Sequence, residues 1–582
     1  MVNIFSFSSM HLTRENAVIH FFVVSLAAIL TIKLLDLAIR SEYQTNHQID
    51  GQTFQTSIWC FGKGNHNERK CRAINICYES NHDQFLFING PSSIQSGLPS
   101  DLYSPCIATL SSVRDHNQYY FNYVTIDHRF LSNLTANINF TLITKPTLIF
   151  GRFKPDNLMH SLHDDIIPLL WTLLGLGWYK DYTLFAFDSW PAYDTISFNR
   201  IIYRKLFAVN EILDKTSQQP SQAGVKNPLS RLICFKEAWF GLDKETVWYQ
   251  YGFRSPQGPV NYTGSSGSSI FKVSEILRKK FSRDGKHKCP KKVYGILLSR
   301  LVNRKLLNQR EIVNQFSSSG IPLIPMTVDL NADKSNSLLT VINKVICAQL
   351  LIGVHGSGLI LSIFLPTGSH LIELFPYGIE PDLYTPYKTL ASNRNLIYHS
   401  WVNSNISHTI THPEYPAYLG GIEHLPKPEQ SRIKQLGRKL DVHLCCNDPN
   451  WLFRIYQDTK VDIDDFSEKI GLDQIAAKKI SSHHNSDLSP GPVMNSNCSY
   501  SDENNGFMIT WEDPWNLNYN RITNQISYEI LVDNKDGTSL GPLFTSSNLF
   551  HLSHPGRKDF LVWIRCQIGK RRGPFHYILC VK

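Results

Sequence analysis

The sequence predicts an α/β protein of two doubly wound lobes facing a cleft, followed by a smaller all-β sandwich and preceded by an apolar N-terminal helix. Three observations carry this. From about 143 to 480, short apolar runs alternate with amphipathic stretches, the pattern of parallel strands covered by helices on both faces. A basic break, RKKFSRDGKHKCPKK at 278–292, divides that alternation into two sets. From 495 onward alternating strands are separated by turns, over about 90 residues, the size of one sandwich domain.

Taken in order, the first element is Ala17–Ile32, 16 residues without a charge, reading on through Lys33 and Asp36 to Ile39. That is slightly short of the ~20 residues that span hydrocarbon, and snorkelling of Lys33 extends it. The reading is a tail over 1–16, an uncleaved signal-anchor transmembrane helix over 17–39 and a stem over 40–55. A cleaved signal peptide is the rival, although no small-x-small cleavage site follows Ile32. N-glycosylation sequons stand at Asn133, Asn139, Asn261, Asn405 and Asn497. Of the 12 cysteines, Cys60, Cys71, Cys77 and Cys106 cluster like a stapled cap, and none forms a CxxC pair. Together these features point to the oxidising secretory pathway. The partner of Cys580, Cys498 or Cys566, stays open.

The first lobe is read over 56–277, with apolar runs at 147–150, 183–187 and 231–235. The second spans 278–480, with runs at 293–299, 321–326, 349–354 and 370–375. Such Rossmann-like lobes bind ligands outside the carboxyl ends of their strands. A polar linker over 481–494 leads to the domain 495–582, whose FMITW, ISYEILV and DFLVWIRC strands resemble a fibronectin type III sandwich. With 42% hydrophobic and 18% charged residues the chain can bury large cores. A net charge of +9 over 582 residues does not call for nucleic acid as a partner.

Three clusters can do chemistry. The first follows the run TLIF: Arg152, Asp156, Asn157, His160, His163, Asp164, Asp165 and Pro168. Asn157 or Asp156 is a fitting N-cap, and His160, His163 and Asp164 share a helix face. Asp164 is the candidate general base, with His160 and His163 as neighbours. The same trio is competent to bind a divalent metal, and a capped helix with buried histidines is the structural alternative. Arg152, Asn157 and Asp165 would support the acceptor or the local structure. The second cluster, Ser299, Arg300, Arg304 and Asn308, ends one strand and opens the next helix, offering planar guanidinium forks for phosphate. The third, His355-Gly356-Ser357-Gly358, leaves backbone N–H groups free at a helix start, which favours a diphosphate. Glu373, ending the next strand, can accept from ribose hydroxyls.

These segments, N-x-x-H-x-x-x-D-x-x-x-P, S-R-x-x-x-R-x-x-x-N and V-H-G-S-G-L with F-L-P-x-G and E-L-F-P, resemble the family 61 glycosyltransferases. The stretches WYQYGF, THPEYP and HLCCNDPNWLFRIYQDTKVDI strengthen the likeness. The resemblance implies a GT-B arrangement of the two lobes. It implies inverting transfer of GlcNAc from UDP-GlcNAc to the 4-hydroxyl of a protein-linked O-mannose, with an α-dystroglycan-type acceptor. It further implies a single-pass type II protein of the endoplasmic reticulum membrane with its catalytic part in the lumen. No cofactor is required by the motifs, a divalent Mn or Mg is compatible with them, and a homodimer is allowed. The readings kept beside this one are a relative that adds GlcNAc or xylose to another acceptor, and a non-catalytic lumenal sugar-binding receptor.

Overall fold

The computed structural model describes residues 53–62, 66–99, 106–113, 119–131, 139–178, 181–190, 197–207, 212–215, 231–251, 257–260, 266–282, 289–290, 292–328, 335–435, 448–477, 490, 493–502, 505–514, 526–534, 539–553, 559–569, 571–572 and 575–581. The first sheet has ten strands. They are β1 (Ser57–Phe61), β2 (Lys70–Glu79), β3 (Gln84–Asn89), β4 (Gln95–Ser96), β5 (Tyr123–Asp127), β6 (Asn139–Ile143), β7 (Thr147–Phe150), β8 (Thr183–Ala186), β9 (Leu213–Asp214) and β10 (Arg231–Phe240). The main order is β9-β8-β7-β10-β2-β1-β4, with β3 on β2, β5 on β3 and β6 on β10. Strands β9, β8, β7 and β10 run parallel, whereas β10, β2 and β1 are antiparallel. Disulfides Cys60–Cys71 and Cys77–Cys234 staple β1 to β2 and β2 to β10 between register partners.

The second sheet is wholly parallel: β11 (Gly295–Ser299), β12 (Leu323–Thr327), β13 (Leu350–Val354), β14 (His370–Phe375) and β15 (Ile397–Val402), in the order β12-β11-β13-β14-β15. Strands β13 and β14 are buried at every position, as continuous apolar runs between two helix layers require. The order reverses between β11 and β13, so a crevice opens beyond Ser299 and Val354. One core runs from Leu148 and Leu184 beneath the first sheet through Leu162 and Leu169 to Ile296 and Leu351 of the second.

The chain ends in two antiparallel sheets. β16 (Met494–Ser501), β17 (Gly506–Glu512) and β20 (Leu549–Ser553) form one. β18 (Ile526–Asn534), β19 (Ser539–Thr545), β21 (Asp559–Ile568), β22 (Arg571–Arg572) and β23 (His576–Val581) form the other. They enclose a shared core that includes Phe507, Ile509, Ile530 and Val562, and Cys498–Cys580 ties β16 to β23.

The expected fold class is corrected. The first sheet is mixed, so the chain is not a pair of doubly wound Rossmann-like lobes and the GT-B reading does not stand. The parallel half was legible in TLIF, TLFAF and RLICF, but the segment read as a stapled cap enters the sheet as antiparallel β1 and β2. The fibronectin type III reading of the tail is likewise not carried by what is shown, which is two antiparallel sheets round a common core. Among the described residues no helix is long and apolar enough to cross a membrane. The expected anchor at 17–39 lies outside them, and the expectation of a single-pass endoplasmic reticulum membrane protein is withdrawn.

Candidate active site

Strand β7 delivers the chain through Arg152 to a helix in three runs, Leu158–His160, Ser161–Ile166 and Ile167–Gly175, the middle one wound as a π-helix. Asn157 caps its start, accepting from the Met159 N–H at 3.0 Å. The π run has a cause in the sequence. Pro168 has no N–H for the Asp164 carbonyl four residues back, and its ring crowds that oxygen. The helix widens there, and the Ser112 hydroxyl donates to the freed carbonyl at 2.6 Å.

Asp164 is 1% exposed. His163 Nδ1 lies 2.6 Å from its Oδ1, and His160 Nδ1 2.8 Å from its Oδ2. The Tyr251 hydroxyl donates to Oδ2 at 2.8 Å. The Trp248 backbone N–H donates to His163 Nε2 at 3.2 Å, so in neutral His163 the proton sits on Nδ1 and points at Asp164. Burial alone lifts the Asp164 carboxyl, but the imidazoles of His163 and His160 outweigh it and hold the group below its ordinary value. The carboxylate is thus ionised and enclosed. His160 keeps 17% of its side chain exposed, and Tyr251 is likewise only partly buried. Asp165 has the opposite fate: burial first, then the charge of Asp164, raises it well above the carboxylate range. Its Oδ1 accepts from the Phe153 N–H at 2.8 Å.

Arg152 is committed to structure. Its fork grips Asp188 at 2.9 and 2.7 Å, and both side chains are buried. Among the described residues no group of three or more His, Cys, Asp or Glu side chains is disposed to hold a metal ion.

The second half of the site lies at the crevice beyond β11 and β13. A cleft of about 450 Å³ is lined there by Ser299, Arg300, Ser357 and Gly358, and also by Leu158 from the helix that carries Asp164. The cleft therefore reaches the first turn of the helix that carries Asp164, while His160, His163 and Asp164 are not among the residues that line it. Arg304 adopts a left-handed backbone (φ 53°), donates to the His355 carbonyl at 2.8 Å and lies over the Tyr456 ring at 4.6 Å. Arg300 is pushed down to about 9, first by the charge of Arg304 and then by burial. Arg304 is lowered by burial, and both guanidinium groups approach Gly356, which concentrates positive charge beside the cleft. Gly356 must be glycine, since a Cβ would stand 2.6 Å from Arg304 Nη1 and 3.0 Å from Arg300 Nη1.

Glu373 does not open to a ligand. It is fully buried, lies 2.5 Å from His355 Nδ1 and accepts from the Tyr398 hydroxyl at 2.8 Å, so it orients His355. Ser299 Oγ donates to Gln309. Asn308 pins the 461 backbone through its amide. Asn405 and Asn497 are exposed, Asn139 opens β6, and Asn133 and Asn261 lie outside the described residues. Cys445 and Cys446 also lie outside them, and Cys106 is buried.

Residue-by-residue reading missed Tyr251 and Trp248. Trp248 touches both halves: its backbone holds His163, and its Nε1 donates to the Pro386 carbonyl at 2.9 Å. The available signal was the aromatic density of WYQYGF.

Comparison with known proteins bears on the chemistry. No protein-family model matches the chain. Protein O-linked-mannose β-1,4-N-acetylglucosaminyltransferase 2 of Bos taurus is 34% identical over 561 residues, 93% of this chain and 91% of that protein. The Xenopus tropicalis protein of that name is 33% identical over 96% of this chain and 94% of its own, and the Mus musculus one 34% over 90% and 88%. The chain belongs to the protein O-linked-mannose β-1,4-N-acetylglucosaminyltransferase 2 family. That family is one of hexosaminyltransferases, which work with a glycosyl donor and a glycoprotein acceptor. Among solved structures, rat CD45 extracellular domains d3–d4 match 16% of this chain and 50% of that one at 17% identity with a TM-score of 0.14, too low to bear on the fold.

Proposed function

We propose that the chain transfers GlcNAc from UDP-GlcNAc in β-1,4 linkage onto protein-linked O-mannose, with His160 as the base and Asp164 as its orienting carboxylate. The family supports the reaction. The observation that carries the roles is that Asp164 is enclosed by three donors, while His160, whose Nδ1 faces it, keeps part of its side chain exposed. The donor is α-linked and the product β, so the reaction is a single inverting displacement. His160 Nε2 takes the proton of the mannose 4-hydroxyl. The oxygen forms its bond to the anomeric carbon of GlcNAc as the bond to the β-phosphate breaks, and the electron pair leaves on UDP. The Asp164 charge stabilises the imidazolium, while Arg300, Arg304 and the N–H groups at Ser357 and Gly358 meet the departing diphosphate. No step passes through a metal.

In this reading 56–277 supplies the acid–base groups, 278–480 the donor groups, and 481–494 links both to 495–582. An acceptor of the α-dystroglycan type fits it. The test is transfer to an O-mannosyl peptide by His160→Ala beside a UDP-binding measurement. Turnover should fall on the order of 10²–10⁴-fold with UDP affinity retained; an unchanged rate would remove His160 from its role.

A further inference from the structure

We infer that the junction between the first sheet and the C-terminal sheets holds a second, non-catalytic cleft that binds a neutral pyranose. A cleft of about 230 Å³ opens there, lined by Trp59, Arg72, Glu237 and Trp239 of the first sheet, by Tyr577 of β23, and by Leu176 just beyond the site helix. Register sets its wall. Trp59 stands opposite Arg72 across β1 and β2, and Arg72 opposite Trp239 across β2 and β10. One arginine therefore lies between two tryptophans in a row across three strands.

Arg72 Nε donates to Glu237 Oε1 at 2.8 Å, and the same oxygen accepts from Trp239 Nε1 at 2.9 Å. The pair is part-open, at 27% and 24%. Among the described residues no protein group bonds the Arg72 Nη atoms or Glu237 Oε2.

This chemistry selects its ligand. A hydroxyl can donate to a carboxylate and accept from a guanidinium at once, so a vicinal diol matches the pair. An anion would meet Glu237, and a cation would meet Arg72. The aromatic wall suits the apolar C–H face of a sugar ring. A volume below the ~300–1,000 Å³ of drug-sized sites admits one ring rather than a nucleotide. Leu176 is twelve residues past Asp164, roughly 18 Å along the helix at ~1.5 Å per residue. The cleft is thus separate from the catalytic cluster, yet within reach of a second sugar on the same acceptor.

Saturation-transfer NMR on the full chain tests this, with methyl α-mannopyranoside and methyl β-N-acetylglucosaminide as probes and UDP present in excess. Transfer to ring protons should appear in the wild type and drop about fivefold or more, the loss of ~1 kcal/mol of contact, in both Trp59→Ala and Glu237→Gln. Turnover of a short O-mannosyl peptide should stay within about twofold, since neither residue touches the reacting groups. Glu237→Gln preserves shape and decides the matter if Trp59→Ala melts early. Unchanged transfer in Glu237→Gln, or transfer abolished by His160→Ala alone, overturns the proposal. The readout is binding, so it stands or falls apart from the transferase assignment.

Discussion

Two consecutive carboxyls, Asp164 and Asp165, are buried side by side and titrate in opposite directions. Burial raises both, and only Asp164 has imidazoles that reverse it. The folded-state value of Asp164 is depressed, so it contributes stability above an unfolded value of about 3.9, lost as pH falls through its folded value. Asp165 is raised, so its contribution is complete at low pH and is lost as pH rises through its folded value. Asp165→Asn copies the protonated acid and should flatten the fall in stability that begins as pH rises above the unfolded value of about 3.9, while sparing activity. Melting curves against pH check this. Asp164→Asn should lower kcat on the order of 10⁴-fold, as loss of an orienting carboxylate does in a protease triad, because an amide N–H would face the imidazole Nδ1–H. An Asp164→Asn enzyme with near-normal kcat would end that account.

At the scale of the element, Pro168 shapes the helix that presents these groups. Pro168→Ala should restore a regular turn at the Asp164 carbonyl, pulling the carboxylate from its imidazoles. The expected outcome is a kcat reduced tenfold or more, about 1.4 kcal/mol of transition-state stabilisation, with a melting temperature unchanged or raised. In the second sheet, Gly356→Ala should lower the melting temperature, because a backbone at φ 153° is strained for any residue with a Cβ, and should shift the two arginine tips that the Cβ meets. The shift should raise the donor KM, measured as initial rate against UDP-GlcNAc. The capped helix was legible in N-x-x-H-x-x-x-D-x-x-x-P, since capping and helical spacing are local. The enclosure of Asp164 was not, because Tyr251 and Trp248 arrive from more than 80 residues away.

For the whole molecule, the C-terminal sheets are docked on the far end of the same helix. His576 is buried between Gly175, whose carbonyl accepts from Nδ1, and the Ser496 hydroxyl, 2.7 Å from Nε2. Burial pushes it down to about 4, against a smaller upward pull from Gly175. Its unfolded value is about 6.5, so the unfolded chain binds the extra proton first. Stability should fall as pH drops from about 6.5 to about 4, by roughly 3 kcal/mol in full. His576→Gln should remove that slope. Lys70 reinforces the docking, pairing with Asp243 at 2.7 Å and lying over the Tyr577 ring.

From its sequence alone the chain could be assigned its parallel second sheet and the capped helix that carries His160, His163 and Asp164, because apolar runs and caps act over a few residues. The mixed first sheet, the Cys77–Cys234 and Cys498–Cys580 bridges and the burial of Glu373 and Arg152 were decided only by tertiary structure. Strand direction and side-chain enclosure depend on partners distant in the chain, and no local pattern encodes which partner comes to lie alongside.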